Sequence, residues 1–182
     1  MKLVSAQPTG QERFFEENEI IVSKTDTKGR LTYANQLFLN IAGYSEEEIL
    51  GQPHNVIRHP DMPRSVFKLL WETIKDGREI FAFVVNLCKD GAHYWVLAHV
   101  PPTYDRTGQI SGYHSNRRVP DRQALAEIQS LYRRLAAVEH RHSQPKAAAE
   151  AGLEELNAIL AEKKVSYDEF IFGMINGKVA VS

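Results

Sequence analysis

The sequence predicts an α+β domain with a five-stranded antiparallel sheet, helices on one face and a C-terminal helical extension. Three observations predict this class. Two strand-like runs precede a helical stretch, and three longer strand-like runs follow it. Short turn sequences join neighbouring runs, which favours antiparallel hairpins over parallel crossovers. After Pro120 the apolar residues take up the spacing of amphipathic helices.

The chain of 182 residues suggests one globular domain with appendages. We place a polar lead at residues 1–17, the sheet domain at 18–120 and the helical extension at 121–182. A sheet covered by helices on one face leaves a pocket between the two layers. Such a pocket is a common place for a small ligand.

The first predicted elements are a hairpin and a short helix. The strands of the hairpin are Ile20–Ser23 and Leu31–Ala34, because residues 26–29 supply turn chemistry between two apolar runs. Asn35 then begins a short helix, which Gly43 ends.

Two further helices precede the remaining strands. Ser45 and Glu48 form a capping box for a short one. Pro63 fits the first position of the next, which ends near residues 76–77. Its apolar stripe has the spacing of an amphipathic helix and consists of Phe67, Leu70, Trp71 and Ile74.

Three strands are then predicted, at Glu79–Cys88, His93–Val100 and Gln109–Val119. The Lys-Asp-Gly sequence at 89–91 joins the first two as a hairpin, and residues 105–108 turn between the second and third.

The sequence of the extension predicts a helix after Pro120, a linker at 140–146 and a second helix. A third helix follows, with a capping box at Ser166 and Glu169. Two interpretations of these helices are open. They pack back on the sheet, or they form an amphipathic arm for a homodimer or for a helix of a separate transducer.

Composition argues against several classes of protein. A net charge of −1 gives no bulk electrostatic case for binding nucleic acid or an anionic membrane. No apolar run is long enough to span a bilayer, and the N-terminus lacks the apolar region of an export signal. The single cysteine, Cys88, excludes an intramolecular disulfide and fits a reducing compartment, so we expect a cytoplasmic protein.

Residues 51–71, GQPHNVIRHPDMPRSVFKLLW, form a stiff polar segment that leads into a helix. His54 and His59 are five residues apart in a proline-bearing loop with no cysteine nearby, a spacing unlike that of zinc sites. The chain also lacks GxSxG, GxGxxG and Walker signatures. We therefore expect no metal site and no enzyme, and interpret the segment as one wall of a ligand pocket.

Several strings resemble those of a PAS domain, among them GYSEEEILGQ before the long helix and KDGAHYWV in the hairpin. The similarity is closer to one branch of that family, the sensor domain of the Aer aerotaxis receptors. It is carried by QPHN…RHPDMP, NLCKDGAHYWVLAHVPP and GQISGYHSNR, and covers roughly residues 20–120.

This resemblance implies a PAS fold that binds FAD non-covalently, senses redox state or oxygen-linked electron flow, and signals by protein contact without turnover. Aer receptors continue into a membrane anchor, a HAMP segment and a signalling coiled coil, whereas this sequence stops after two or three helices. We therefore expect a stand-alone variant that acts on a separate transducer of chemoreceptor or other type.

The resemblance also implies a set of cofactor-binding residues. Trp71, with Phe67 and Leu70 on the same helix face, offers a flat apolar slot for the flavin ring. Asn86 lies in a strongly apolar strand, where a buried amide needs a partner such as the polar edge of the ring. The alternatives are a core aromatic for Trp71 and a solvent-facing amide for Asn86.

The other expected members lie nearer the loop. Arg58 is expected to pair with phosphate, and His59 and Asp61 to cap the following helix or hold the loop against the cofactor. His54 is a supporting member beside them, and Asn35 matches a family position where substitutions matter.

Three rival functions remain at this point. A haem-binding PAS gas sensor would need an axial histidine, and the long helix has none, although His93 or His99 offers one on a strand. A cofactor-free PAS module would serve interaction or dimerisation, and a small flavin reductase would need a dinucleotide site. A light-driven thiol adduct is not expected, because the loop before the helix lacks cysteine and Cys88 lies elsewhere.

Overall fold

A computed structural model describes residues 6–177 and confirms the α+β class. Its single antiparallel sheet has six strands rather than five, in the order β2-β1-β6-β4-β3 with β5 paired to β6. The strands are β1 Ile21–Asp26, β2 Leu31–Ala34, β3 Ile80–Leu87, β4 His93–Val100, β5 Pro102–Tyr104 and β6 Ile110–Arg118.

The sixth strand arises from two consecutive prolines. Pro101 and Pro102 lack the amide hydrogens that a ladder needs, so β4 ends at Val100 and the chain resumes as β5. Both pieces pair with β6, and the His114 amide donates to the Pro101 carbonyl at 3.1 Å across the break. The loop that was expected after Val100 is therefore partly strand.

Helices α1 Gln36–Ala42, α2 Glu46–Ile49 and α3 Arg64–Lys75 precede β3. The predicted caps of α1 and α2 are present, including both hydrogen bonds of the capping box between Ser45 and Glu48. Two details differ from the prediction. Pro63 is the N-cap of α3 rather than its first helical residue, and residues 54–57 form a 3-10 turn.

The extension forms α4 Arg122–Glu139, α5 Pro145–Lys163 and α6 Tyr167–Ile175, and packs back on its own domain. Helix α5 lies against α3 and α4. The Tyr132 hydroxyl of α4 donates to the Phe83 carbonyl at 2.6 Å, and Phe172 of α6 contacts Phe81 with ring centroids 4.9 Å apart. Because strand side chains alternate, Phe81 points away from the face that carries Val84, so α6 covers the opposite face of the sheet.

The lead segment runs beside the β3–β4 turn. The Thr9 amide donates to the Gly91 carbonyl at 2.8 Å, and the Arg13 amide donates to the His93 carbonyl at 2.7 Å. Glu12 forms an ion pair with Arg122, which links the lead to α4. Within residues 6–177 no helix is long and apolar enough to cross a membrane.

Candidate functional site

A cavity of about 590 Å³ lies between α3 and the sheet. Its size falls within the usual range for small-molecule sites. Helix α3 forms one wall with Phe67, Leu70, Trp71 and Ile74, and the sheet forms the other with Val84, Asn86, Ala98 and Val100. The cavity therefore separates the two layers where the sequence predicted a pocket.

Trp71 forms a flat part of the cavity wall. Its indole lies so close to Gly29 that a Cβ atom at that position would come within 2.7 Å of the ring. Gly29 also has a φ of +77°, a conformation that favours glycine. The Tyr113 ring packs edge-on to Trp71 with centroids 5.5 Å apart. These contacts fix the plane of the indole at the cavity wall.

Strand β6 brings polar groups to the cavity. Tyr113, Ser115 and Arg117 alternate along it and all line the cavity, because residues two apart on a strand share a face. Strand β1 lies beside them, with Ser23 opposite Ser115. The sheet wall is thus apolar near Val100 and polar around Arg117.

Arg117 is a buried cation without an acidic partner in the described part of the chain. It is 2% exposed, and burial lowers its pKa to about 10, so the guanidinium stays charged at neutral pH. One terminal nitrogen, Nη2, donates to Ser23 Oγ at 2.8 Å and to His54 Nε2. The other, Nη1, has no partner among residues 6–177. Buried charges are usually paired, so this arrangement fits a ligand that accepts hydrogen bonds or carries negative charge.

His54 is held neutral beside this cation. Arginine only donates hydrogen bonds, so His54 Nε2 must accept from Arg117 and the ring proton must lie on Nδ1. Burial, followed by the charge of Arg117, lowers the pKa of His54 to about 3. His54 lines the cavity, and its ring orients Arg117.

Asn86 places an unsatisfied amide in the same cavity. The residue is 3% exposed, and its Nδ2 has no partner in the described residues. The backbone of Arg58 forms an isolated bridge with that of Asn86, which ties the polar loop to β3. Arg58 also lies over the Phe67 ring, 4.7 Å from its centroid, and donates to the Met62 carbonyl at 2.9 Å.

A second cavity of about 490 Å³ adjoins the first between the loop at 58–63 and the turn between α4 and α5. His59 and Asp61 line this second cavity and not the first. His59 is buried, and its Nδ1 accepts from the Asp61 amide at 3.2 Å. Burial lowers the pKa of His59, against the opposing charge of Asp61.

The expectation that His59 or Asp61 caps α3 is wrong. The Asp61 side chain is 86% exposed, and neither residue donates or accepts a side-chain cap hydrogen bond at the start of α3. Glu139, at the end of α4, does the capping instead. Its carboxylate accepts from the amides of Arg64 and Ser65, both at 2.8 Å, and from the Ser65 hydroxyl at 2.7 Å.

Asn35 does not line either cavity. Its Oδ1 accepts from the Val22 and Phe38 amides, both at 3.0 Å, and its Nδ2 donates to the Ile20 carbonyl at 2.8 Å. All the polar atoms of the side chain are used to join α1 to β1. Its place among the cofactor-binding residues is therefore corrected to a structural role.

The sequence reasoning missed Arg117, Ser115, Tyr113, Ser23 and Glu139. Arg117 could have been found from its strand, since it stands at two-residue spacing from Tyr113 and Ser115. The alternate residues His114 and Asn116 are polar too, so the pattern does not show which face is buried. Glu139 carried no signal, because its partners are 74 and 75 residues away.

The side chains on which the haem and thiol alternatives rest lie outside the cavity. Among the described residues no three His, Cys, Asp or Glu side chains are grouped to hold a metal ion. His93 and His99, on which the haem alternative rested, do not line the cavity, and His99 stacks on Phe81 with centroids 4.3 Å apart. Cys88 is buried away from the cavity, its Sγ lies 3.2 Å from the Ile41 carbonyl, and burial raises its pKa to about 11.

Comparison with known proteins places this geometry in a family. The model of the PAS fold matches residues 31–116. This part of the chain therefore has the PAS fold. The aerotaxis receptor of Escherichia coli K12 is 40% identical over 121 residues, which cover 66% of this chain and 24% of the receptor. A blue-light-activated histidine kinase of Erythrobacter litoralis is 31% identical over 113 residues, covering 62% of this chain and 31% of the kinase.

Solved structures agree on the PAS fold. The dark structure of the blue-light photoreceptor Aureochrome1 LOV superposes with a TM-score of 0.52 at 25% identity, covering 65% of this chain and 86% of that one. A light-oxygen-voltage domain studied with a flavin analogue gives 0.53 at 21% identity, covering 61% and 84%, and shows the fold alone. The chain spans less than a third of the two curated relatives named above.

Proposed function

We propose that the PAS domain binds a flavin, FAD, and acts as a cytoplasmic redox or oxygen sensor that signals by protein contact to a separate transducer. The observation that carries this proposal is the pair of unsatisfied buried donors, Asn86 Nδ2 and Arg117 Nη1, in one cavity with an aromatic wall. Each is costly to bury without a partner. A ligand with a flat apolar body and a polar edge would remove both costs.

The residues present fit a flavin on these grounds. Trp71, Phe67 and Leu70 suit the face of its ring, and Asn86 and Arg117 suit its carbonyl and nitrogen edge. The similarity to the aerotaxis receptor favours FAD among flavins and an energy-taxis role. The similarity to a receptor favours signalling over catalysis.

When bound, the flavin would supply reversible uptake of electrons and protons at its ring. Arg117 would hold a fixed positive charge beside it, since its pKa stays well above neutrality. Asn86 carries both a donor and an acceptor, so rotation of its amide would satisfy a ring position that changes between accepting and donating. A hydrogen bond of about 1 kcal/mol would shift a two-state equilibrium several-fold.

The strand that carries Asn86 also contacts the extension. The Phe83 carbonyl accepts from Tyr132 of α4, and Phe81 contacts Phe172 of α6. A change in β3 at the cavity would therefore reach α4 and α6 directly. We propose that a transducer, or a second copy of the chain, reads this surface.

The test is the visible spectrum of the purified protein, recorded as isolated, after refolding with FAD, and after dithionite. The proposal expects bands at the wavelengths of a bound flavin that bleach on reduction. Colourless protein that takes up no flavin on refolding would contradict the proposal and favour a cofactor-free dimerisation module. A Soret band would indicate haem, and NAD(P)H-dependent turnover would indicate a reductase.

A further inference from the structure

The two cavities meet at a group of cations. Arg58, Arg64 and Pro145 line both cavities, so the cavities adjoin there. Lys68 and Lys146 line the first cavity beside them. The junction is therefore formed by α3 and the polar loop on one side and by the start of α5, part of the extension, on the other.

The two lysines have acidic partners on their own helices, and the two arginines have none within ion-pair distance among residues 6–177. Lys68 pairs with Glu72 within α3, and Lys146 lies 4.0 Å from Glu150 within α5. In the part of the chain that the structure describes, Arg58 and Arg64 form no ion pair. Burial, followed by the like charge of Arg64, lowers the pKa of Arg58, and the carboxylate of Glu139 offsets part of that repulsion. An anion at the junction would relieve that repulsion.

The start of α5 adds to this positive field. The helix has 19 residues, begins with Pro145, and receives no side-chain cap from Gln144. Its free amides and its dipole favour a negative group. The buried donors of Asn86 and Arg117, which have no partner among residues 6–177, independently favour a polar ligand in the adjoining first cavity.

The second cavity offers room beyond the junction. Its walls combine the small side chains of Ala136 and Ala148 with the imidazoles of His59, His140 and His142. The imidazole rings suit stacking with a flat heterocycle, and the carboxylates of Asp61 and Glu139 on the same walls suit its donor groups. The order of surfaces is therefore a flat slot, a cationic junction and a second slot.

We propose that the extension completes the cofactor site: Lys146 and the start of α5 bind the pyrophosphate of FAD, and the cavity between α4, α5 and the loop holds its adenosine end. The inference rests on the proposed flavin binding and assigns the site its specificity for a dinucleotide. The α4–α5 pair is then part of the binding site as well as a neighbour of the sheet.

The test is a titration of the full flavin-free chain with riboflavin, FMN and FAD. Quenching of the flavin fluorescence measures the binding of each. We expect FAD to bind at least tenfold more tightly than FMN, and FMN more tightly than riboflavin. Lys146→Glu should weaken FMN and FAD binding about tenfold and leave riboflavin unchanged. Arg133→Glu, an exposed site on α4, is the matched control for charge.

A second pair of variants tests the adenosine cavity. Ala136→Leu narrows it and should lower FAD affinity to that of FMN, without changing FMN affinity. Ala137→Leu, exposed on the next position of α4, should change neither. Equal binding of FMN and FAD by the wild-type chain would overturn the inference and leave the flavin sensor intact. Binding of no flavin at all would remove the proposed function and the inference together.

Discussion

Arg117 decides the electrostatics of the candidate site. Its charge is buried, is held in place by Ser23 and His54, and faces the cavity with one free donor. Replacing it with glutamine removes a positive charge that would stabilise the more negative, reduced cofactor. We expect Arg117→Gln to lower the midpoint potential of the bound flavin by about 30 mV, which is about 1.4 kcal/mol for a two-electron couple.

Spectroelectrochemical titration measures that shift. Arg118→Gln is the matched control, because Arg118 is the next residue on β6 and is exposed. An unchanged or raised potential in the Arg117 variant, with flavin still bound, would contradict the role given to this side chain.

His54 makes the stability of the flavin-free protein depend on pH. Its pKa is about 3 when folded and about 6.5 when unfolded, so between these values only the unfolded state binds the proton. The free energy of unfolding should therefore fall as the pH is lowered from about 6.5 towards 3, by up to about 5 kcal/mol from this group. Urea unfolding across this range should show a shallower pH dependence in His54→Gln than in wild type.

The exposed His142→Gln serves as the control for that comparison and should keep the wild-type slope. The same slope in both variants would mean that His54 is protonated in the folded protein. The hydrogen bond from Arg117 argues against this, because a protonated ring would bring two donors together.

At this scale, the sequence predicts residues whose local pattern is unusual. Trp71 stands out by helical spacing and Asn86 as an amide in an apolar strand, and both line the cavity. The burial of Arg117 in the cavity depends on the pairing of β6 with β1 and β4. No local sequence pattern reveals that pairing. Asn35 was selected by resemblance and serves the α1–β1 contact instead.

At the scale of the elements, the contact between α3, α4 and α5 is the least local feature of the fold. Glu139 caps α3, and Gly152 of α5 lies against the same carboxylate. A Cβ atom at Gly152 would come within 2.7 Å of Glu139 Oε1 and 2.8 Å of Ser65 Oγ. Those atoms cannot move freely, because they hydrogen-bond to each other and to the first turn of α3.

Gly152→Ala should therefore destabilise the protein, against the expectation from helix propensity. Alanine is favoured over glycine inside a helix by about 1 kcal/mol. We expect a net loss of about 1–2 kcal/mol, because the methyl group displaces the cap. Urea unfolding followed by circular dichroism measures it, with Ala147→Gly on the same helix as a propensity control. A gain in stability for Gly152→Ala would show that α5 shifts without cost.

The elements themselves follow closely from the sequence. Turn chemistry and capping boxes predict β1 and β2, α2 and α6 and the β3–β4 hairpin, because each signal lies within a few residues. The positions of α4 and α5 do not follow, since an apolar stripe specifies burial but not the surface that buries it. The small residues Gly152 and Ala148 mark the close approach of α5 only once its partners are known.

At the scale of the whole molecule, the extension surrounds the edge strand β3. Helix α5 lies on the α3 side and α6 on the opposite face, and α4 joins them through the hydrogen bond from Tyr132 to Phe83. This bond links the strand that carries Asn86 to the extension without reaching the cavity. It is therefore the contact at which transmission can be separated from cofactor binding.

Tyr132→Phe removes that hydrogen bond and keeps the ring and its packing. We expect the variant to retain its flavin, with an unchanged absorption spectrum, because Tyr132 does not line the cavity. Hydrogen exchange of α4 should differ between oxidised and reduced wild-type protein, and this difference should shrink in the variant. Tyr33→Phe, at an exposed position, is the matched control. If the difference persists in Tyr132→Phe, the signal leaves β3 by another contact, of which Phe81 with Phe172 of α6 is the next to test.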